Sequence, residues 1–175
     1  MKSNLVYKFL CALLLLSIFV PVSVSAAKNE NLLPLDPAVR CGKLENGFTY
    51  YIRKNAKPEK RVELRLAVNC GSVQEDNNQL GMAHFVEHMG FNGSKNFPKN
   101  DLIHYLQSIG VKFGPELNAF TSFDETVYML TVPTDSAEQL NKGFQVMEDW
   151  AHDMTFDTSE IRKERGVIVE EWRLG

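Results

Sequence analysis

Cysteine is scarce in this sequence. Three occur in 175 residues, at positions 11, 41 and 70, so no disulfide framework can carry the fold and an apolar core must do so. Runs of like charge are missing too. The 19 Lys and Arg are interspersed with 22 Asp and Glu for a net charge of −3, which excludes a nucleic-acid-binding stripe and a polybasic lipid-binding patch. Internal repeats and low-complexity tracts are absent. Histidine is rare, with four copies, yet two of them stand close together. What is abundant is apolar material, 44% of the chain, enough for the core of one domain, and the length gives no reason to expect two.

The one long apolar run lies at the N-terminus. Lys2 and Lys8 precede the stretch from Phe9 to Val20, which is followed by Pro21 and the small residues Ser23-Val24-Ser25-Ala26-Ala27. That is the pattern of a secretory signal peptide, residues 1–27, cleaved after Ala26 or Ala27. The run is short beside the roughly 20 apolar residues of a spanning helix. The surroundings of Cys11 are not those of a lipoprotein processing site. An exported protein is expected, with no membrane segment beyond the leader. Cleavage removes Lys2 and Lys8, taking the net charge from −3 to about −5. Cys41 and Cys70 remain, and both a disulfide and two separate buried thiols are open to them.

Residues 28–38 are polar and carry two prolines, which predicts an extended lead-in before a domain over residues 39–175. A turn signal at Asn46-Gly47 precedes the strand-forming run Phe48-Thr49-Tyr50-Tyr51-Ile52, and Val62, Leu64, Leu66 and Val68 alternate on one face of a second strand. Residues 117–122 and 126–132 are β-rich and separated by Phe123-Asp124-Glu125, which predicts a hairpin. Four helices are expected. The first covers residues 80–89. The second covers 100–109, with Leu102, Ile103, Leu106 and Ile109 on one face and Gly110 as its stop. The third covers 135–154, with Ala137, Leu140, Phe144, Met147, Ala151 and Met154 at core spacing and Asp135 and Glu138 as a capping box. The fourth starts near Asp157 or Thr158, with Glu160 at capping-box spacing from Asp157, and runs toward the C-terminus. Strands and helices mix without a βαβ rhythm, so the fold class is α+β.

The first helix carries His84-Phe85-Val86-Glu87-His88. At about 100° per residue, Met82, Phe85, Val86 and Met89 gather within roughly 60°, and His84, Glu87 and His88 share the opposite face. Two histidines at i and i+4 can aim imidazole nitrogens at one tetrahedral metal, and a glutamate beside them can reach a water without competing for the ion. With four His and 14 Glu in the chain, chance produces this HxxEH pattern about 0.007 times per sequence. His104 and His152 fall on the polar sides of their helices, where a solvated histidine is the default.

Catalytic zinc takes three protein ligands, so one more must come from elsewhere. The fourth helix offers Glu164, Glu170 and Glu171. Glu164 and Glu171 are seven residues apart on the side of Ile161, Val167 and Ile168, whereas Glu170 points away. A carboxylate on a core-facing side is costly unless paired or coordinated, which gives Glu164 and Glu171 a task. They stand about 10.5 Å apart along the helix axis, so only one can ligate directly. Helical spacing alone does not say which, and for Glu164 a charge pair with Arg165 is also open.

The HFVEH string with His88-Met89-Gly90-Phe91-Asn92-Gly93, the segment Asn118-Ala119-Phe120-Thr121-Ser122-Phe123-Asp124-Glu125-Thr126-Val127-Tyr128, and Glu164-Arg165-Gly166-Val167-Ile168-Val169-Glu170-Glu171-Trp172 resemble the pitrilysin (M16) family of zinc peptidases, whose inverted HxxEH motif defines the inverzincins. The resemblance covers about residues 39–175. It implies a largely antiparallel sheet covered by helices and one zinc ion. It further implies that His84, His88 and Glu171 are the ligands, that Glu87 is the general base, and that Glu164 orients a histidine from behind. Asn118, Ala119, Phe120 and Thr121 would form a strand edge that receives a substrate backbone.

The implied activity is metalloendopeptidase action on peptides or unfolded proteins in the periplasm of a Gram-negative bacterium. Family members close a chamber with two halves, and this sequence stops four residues after Glu171. A sheet incomplete at the C-terminus is therefore expected, with the missing part or a partner subunit supplying the second M16 domain. The rival readings are a non-catalytic scaffold subunit of the same fold, an inactive truncated fragment, and a purely structural zinc module. The last lacks a fourth protein ligand.

Overall fold

The computed structural model describes residues 33–174; the predicted signal peptide lies outside the described residues. The chain divides into two compact units at Lys54.

The first unit contains an antiparallel hairpin of β1 (Val39–Lys43) and β2 (Thr49–Arg53), in register from Val39 opposite Arg53 to Lys43 opposite Thr49. The turn falls where Asn46-Gly47 predicts it, and the Asn46 side chain accepts a hydrogen bond from the Phe48 N–H at 3.0 Å. β1 escaped the sequence reading because VRCGK has neither alternation nor a β-branched run; its pairing comes from β2.

The second unit is an α+β layer structure. β3 (Arg61–Val68), β4 (Leu117–Thr121) and β5 (Thr126–Pro133) form an antiparallel sheet in the order β3-β5-β4. The helices are α1 (Met82–Met89) and α2 (Asp101–Ser108), both between β3 and β4, and then α3 (Ala137–His152) and α4 (Thr158–Leu174) after β5. The predicted hairpin is β4-β5, with Leu117 opposite Leu130 and Thr121 opposite Thr126. β5 is the central strand. Tyr128, Leu130 and Val132 on it are each 2% exposed or less and form the middle of the core with Leu102, Leu106 and Trp150. α2 buries Leu102 and Leu106 as its spacing predicts, and its end is reached before Gly110, at φ +84°.

α3 is present with its buried face turned in part from the predicted one. Of the predicted stripe, Met147 and Met154 pack against the core, whereas Ala137 and Ala151 are exposed and Phe144 is 54% exposed. The buried positions are Gly143, Val146, Asp149 and Trp150. Counting apolar side chains misses the reason, which is a residue without one: a Cβ at position 143 would lie 3.1 Å from both Leu64 Cδ1 and Val132 Cγ2. The helix lies against the sheet on its glycine, and that contact turns Val146 and Trp150 inward. Asp149 can be buried because Ser94 Oγ, the Asn96 N–H at 3.1 Å and the Asn96 amide at 2.6 Å all donate to it.

The cap of α3 also differs from expectation. Ser136, not Asp135, takes the N-cap position, and its hydroxyl accepts from the Gln139 N–H. Asp135 faces Lys60 at 3.6 Å across solvent. At α4 the expected residue does act as the cap: Asp157 accepts from the Ser159 N–H at 2.8 Å and the Glu160 N–H at 3.3 Å. These hydrogen bonds, led by those from Ser159, hold its carboxyl below the ordinary aspartate range. Both Cys41 and Cys70 are free, exposed thiols. Among the described residues no helix is long and apolar enough to cross a membrane.

Replacing Ser136 by Ala should lower stability by about 1 kcal/mol, with a smaller effect for Asp135→Ala. Urea unfolding followed by far-ultraviolet circular dichroism measures both.

Candidate metal centre

The helix that carries HFVEH is held at both ends. At its start the Glu75 carboxylate accepts the Gly81 N–H at 2.8 Å and the Ala83 N–H at 2.7 Å, two of the amide groups a helix leaves unpaired. At its end the Trp150 indole N–H donates to the Gly90 carbonyl at 2.8 Å, and Trp150 stacks on Tyr128 with ring centroids 5.2 Å apart. Gly90 has no side chain to spare for this contact, since a Cβ there would stand 2.8 Å from the Tyr128 ring.

The polar face of α1 is better covered than half of its apolar face. Glu87 is 7% exposed, whereas Met82 is 53% and Val86 37% exposed. α4 packs over the histidines, while Met82 and Val86 line a cleft of about 410 Å³ together with Val68, Trp150 and Met154.

His84 Nε2 and His88 Nε2 lie 3.1 Å apart. Glu171 Oε2 lies 3.6 Å from the first and 3.5 Å from the second. Tetrahedral zinc with nitrogen and oxygen ligands near 2.0–2.1 Å separates its ligand atoms by about 3.3 Å, and the three edges bracket that spacing. One ligand atom from each of the three residues falls within a 4.8 Å group. The donor set and its geometry therefore fit a zinc ion with an open fourth position.

Behind this triangle, His88 Nδ1 meets Glu164 Oε1 at 2.7 Å, and the Asn92 amide donates to Glu164 Oε2 at 2.7 Å. A carboxylate only accepts, so in a neutral His88 the proton sits on Nδ1 and the Nε2 lone pair faces the centre. Glu164 is 15% exposed and Glu171 47%. The partners of Glu164 are thus His88 and Asn92, which differs from the Arg165 pairing left open by spacing. Glu170 turns away and pairs with Arg173.

Glu87 lies beside the triangle without joining it. Its Oε2 accepts a hydrogen bond from Thr121 Oγ1 at 2.8 Å. The neighbouring Tyr128 phenol is pushed well above its ordinary range, first by burial and then by the charge of Glu87. β4 is an outer strand of its sheet. On it, Leu117 is buried, Ala119 and Thr121 are partly covered, and Asn118 and Phe120 are exposed. The Ala119 N–H is held by the Asn118 side-chain oxygen at 2.9 Å. His104 is exposed, and His152 lies at the surface near Asp153 and Glu148.

Three site-building residues escaped the sequence reading. Asn92 stands four residues beyond His88, the same helical interval that joins His84 to His88, so spacing could have flagged it. Thr126 is the direct cross-strand partner of Thr121, a pairing that the hairpin register contains. Glu75 sits in a loop and had no such signal.

Two imidazoles and a carboxylate thus converge on one point, a donor set of the kind that can hold a metal ion, with a second carboxylate alongside. The sequence matches the family Insulinase (Peptidase family M16) over residues 50–173, and the chain belongs to that family. It is 44% identical over 161 residues to the Probable zinc protease PqqL of Haemophilus influenzae and 42% identical over 172 residues to that of Escherichia coli. These alignments cover 92% and 97% of this chain but 17% and 18% of the relatives, so the chain spans less than a fifth of their length. Among solved structures, the first half of the periplasmic protease PqqL from Escherichia coli superposes with a TM-score of 0.77 at 45% identity, covering 81% of this chain and 30% of that one.

Trp150→Phe removes the buried donor to Gly90 and should cost about 1–3 kcal/mol, read as a lower urea midpoint with an unchanged slope.

Proposed function

We propose that the polypeptide carrying this chain is an exported zinc metalloendopeptidase. The convergence of His84, His88 and Glu171 on one point, with the buried carboxylate of Glu87 alongside, is the observation that supports this reading. His84, His88 and Glu171 would hold the single Zn2+, and Glu164 holds the His88 ring in the tautomer that would ligate it. Such an ion would supply acidification of a water and polarisation of the scissile carbonyl. Glu87 takes a proton from the attacking water and returns it to the leaving amine. Its burial and its separation from the ligand triangle suit a base that must not coordinate.

The outer strand β4 receives the substrate as an added strand along Asn118, Ala119, Phe120 and Thr121. The Ala119 N–H, now satisfied by Asn118, then exchanges its partner for a substrate carbonyl. Such an edge accepts extended backbone, which favours peptides or unfolded protein over a folded substrate. A second M16 domain would complete the substrate chamber, and export through residues 1–27 would place the enzyme in the periplasm, where the Escherichia coli relative is described. A scaffold subunit of the same fold has no need of Glu87 beside three converging donors.

Glu87→Gln in the full polypeptide should keep stoichiometric zinc and lose at least about 100-fold in cleavage of an unstructured peptide. Equal cleavage by both proteins would remove the assigned mechanism. Glu164→Ala should weaken zinc binding by about 10- to 100-fold, measured by competition with a chromogenic chelator.

A further inference from the structure

Thr121 occupies two positions at once. Its backbone belongs to the outer strand β4, but its side chain turns inward and donates to Glu87 Oε2 at 2.8 Å. Behind it, Thr126 Oγ1 lies 3.2 Å away, and Thr126 in turn donates to the Cys70 carbonyl at 2.9 Å. Thr126 is 5% exposed and Glu87 7%. The file therefore runs from the loop just after β3 through the first residue of β5 to the last residue of β4, ending on a carboxylate of α1.

We infer that Thr121, anchored through Thr126 to the Cys70 carbonyl, is a positioning residue that fixes the rotamer of the Glu87 carboxylate and leaves its other oxygen to take the proton. The inference rests on the proteolytic reading of the site and adds a residue to it. The geometry supports it in three ways. Glu87 is a flexible side chain, and no other hydrogen bond from a side chain holds its carboxylate among the described residues. Thr121 and Thr126 are direct partners in the hairpin register, so the sheet holds their backbones opposite one another. Cys70 supplies a backbone acceptor, which cannot rotate away.

The test uses the full polypeptide with its zinc, acting on fluorescein-labelled β-casein as an unfolded substrate. Thr121→Val keeps the side-chain shape and removes the hydroxyl; the expected result is a fall in kcat of about 10- to 100-fold with KM and zinc content unchanged. Thr121→Ser restores the hydroxyl and should recover most of kcat. Thr126→Val should lower kcat in the same direction by a smaller factor. Wild-type kcat in Thr121→Val, equal losses in Thr121→Val and Thr121→Ser, or a loss explained by KM or by zinc would each overturn the inference. If Thr121→Val does not fold, Thr121→Ala and Thr121→Ser are compared by the same criteria. Glu87→Gln is assayed in parallel: if it cleaves like wild type, the proteolytic reading falls. If it is inactive while Thr121→Val is fully active, only the positioning role falls.

Discussion

The contact between His88 Nδ1 and the Glu164 carboxylate joins the two halves of the site. α1 supplies both histidines and Glu87; α4 supplies Glu164 and Glu171. These helices are separated by 68 residues from the end of one to the start of the other, and nothing local in sequence brings them together. A 2.7 Å hydrogen bond between a ring nitrogen and a largely covered carboxylate, reinforced by Asn92, does so. It fixes the roll of α4, and a helix seven residues further on then presents Glu171 on the same side, at 3.5 Å from His88 Nε2. One contact therefore orients a histidine and delivers the third donor. It also accounts for the exposure of Glu171, which needs no burial of its own if its helix is already held.

The other constraint is the mounting of α1. A helix of eight residues has too few internal hydrogen bonds to be stable alone, and this one also carries a buried acid. It is held from outside: by Glu75 at its amino end, by Trp150 at its carboxyl end, and by its packing against β4 and β5. Trp150 can reach Gly90 only because α3 approaches the sheet on Gly143. A glycine on one helix thus decides where the indole lies that fixes the end of another.

Much of this was legible in the sequence, and the boundary is physical. Hydrophobic periodicity located α2, and the β-rich run from Leu117 to Val132 located the β4-β5 hairpin, because those segments face a single core. Helical spacing placed Glu164 and Glu171 on one side and Glu170 on the other, as they stand in the structure, because angular position on a helix is fixed by the backbone. Periodicity found Met147 and Met154 but not the buried centre of α3, where the sheet is met by Gly143 and an acid is buried among its hydrogen-bond donors; a count of apolar side chains registers neither. It failed in part for α1, whose polar face is covered by a distant helix that the local pattern cannot register. β1, Glu75 and Thr126 escaped because their partners lie across a turn, in a loop or on another strand, and only the assembled fold names them.

The central claim is that one zinc site is built jointly by α1 and α4. It is tested most directly by measuring bound zinc after equilibrium dialysis in the full polypeptide, comparing Glu171→Ala with Glu170→Ala. These neighbours on one helix differ in direction, not in chemistry. The account predicts that the Glu170 variant keeps one zinc per chain and the Glu171 variant loses it. Equal zinc retention by the two would contradict it.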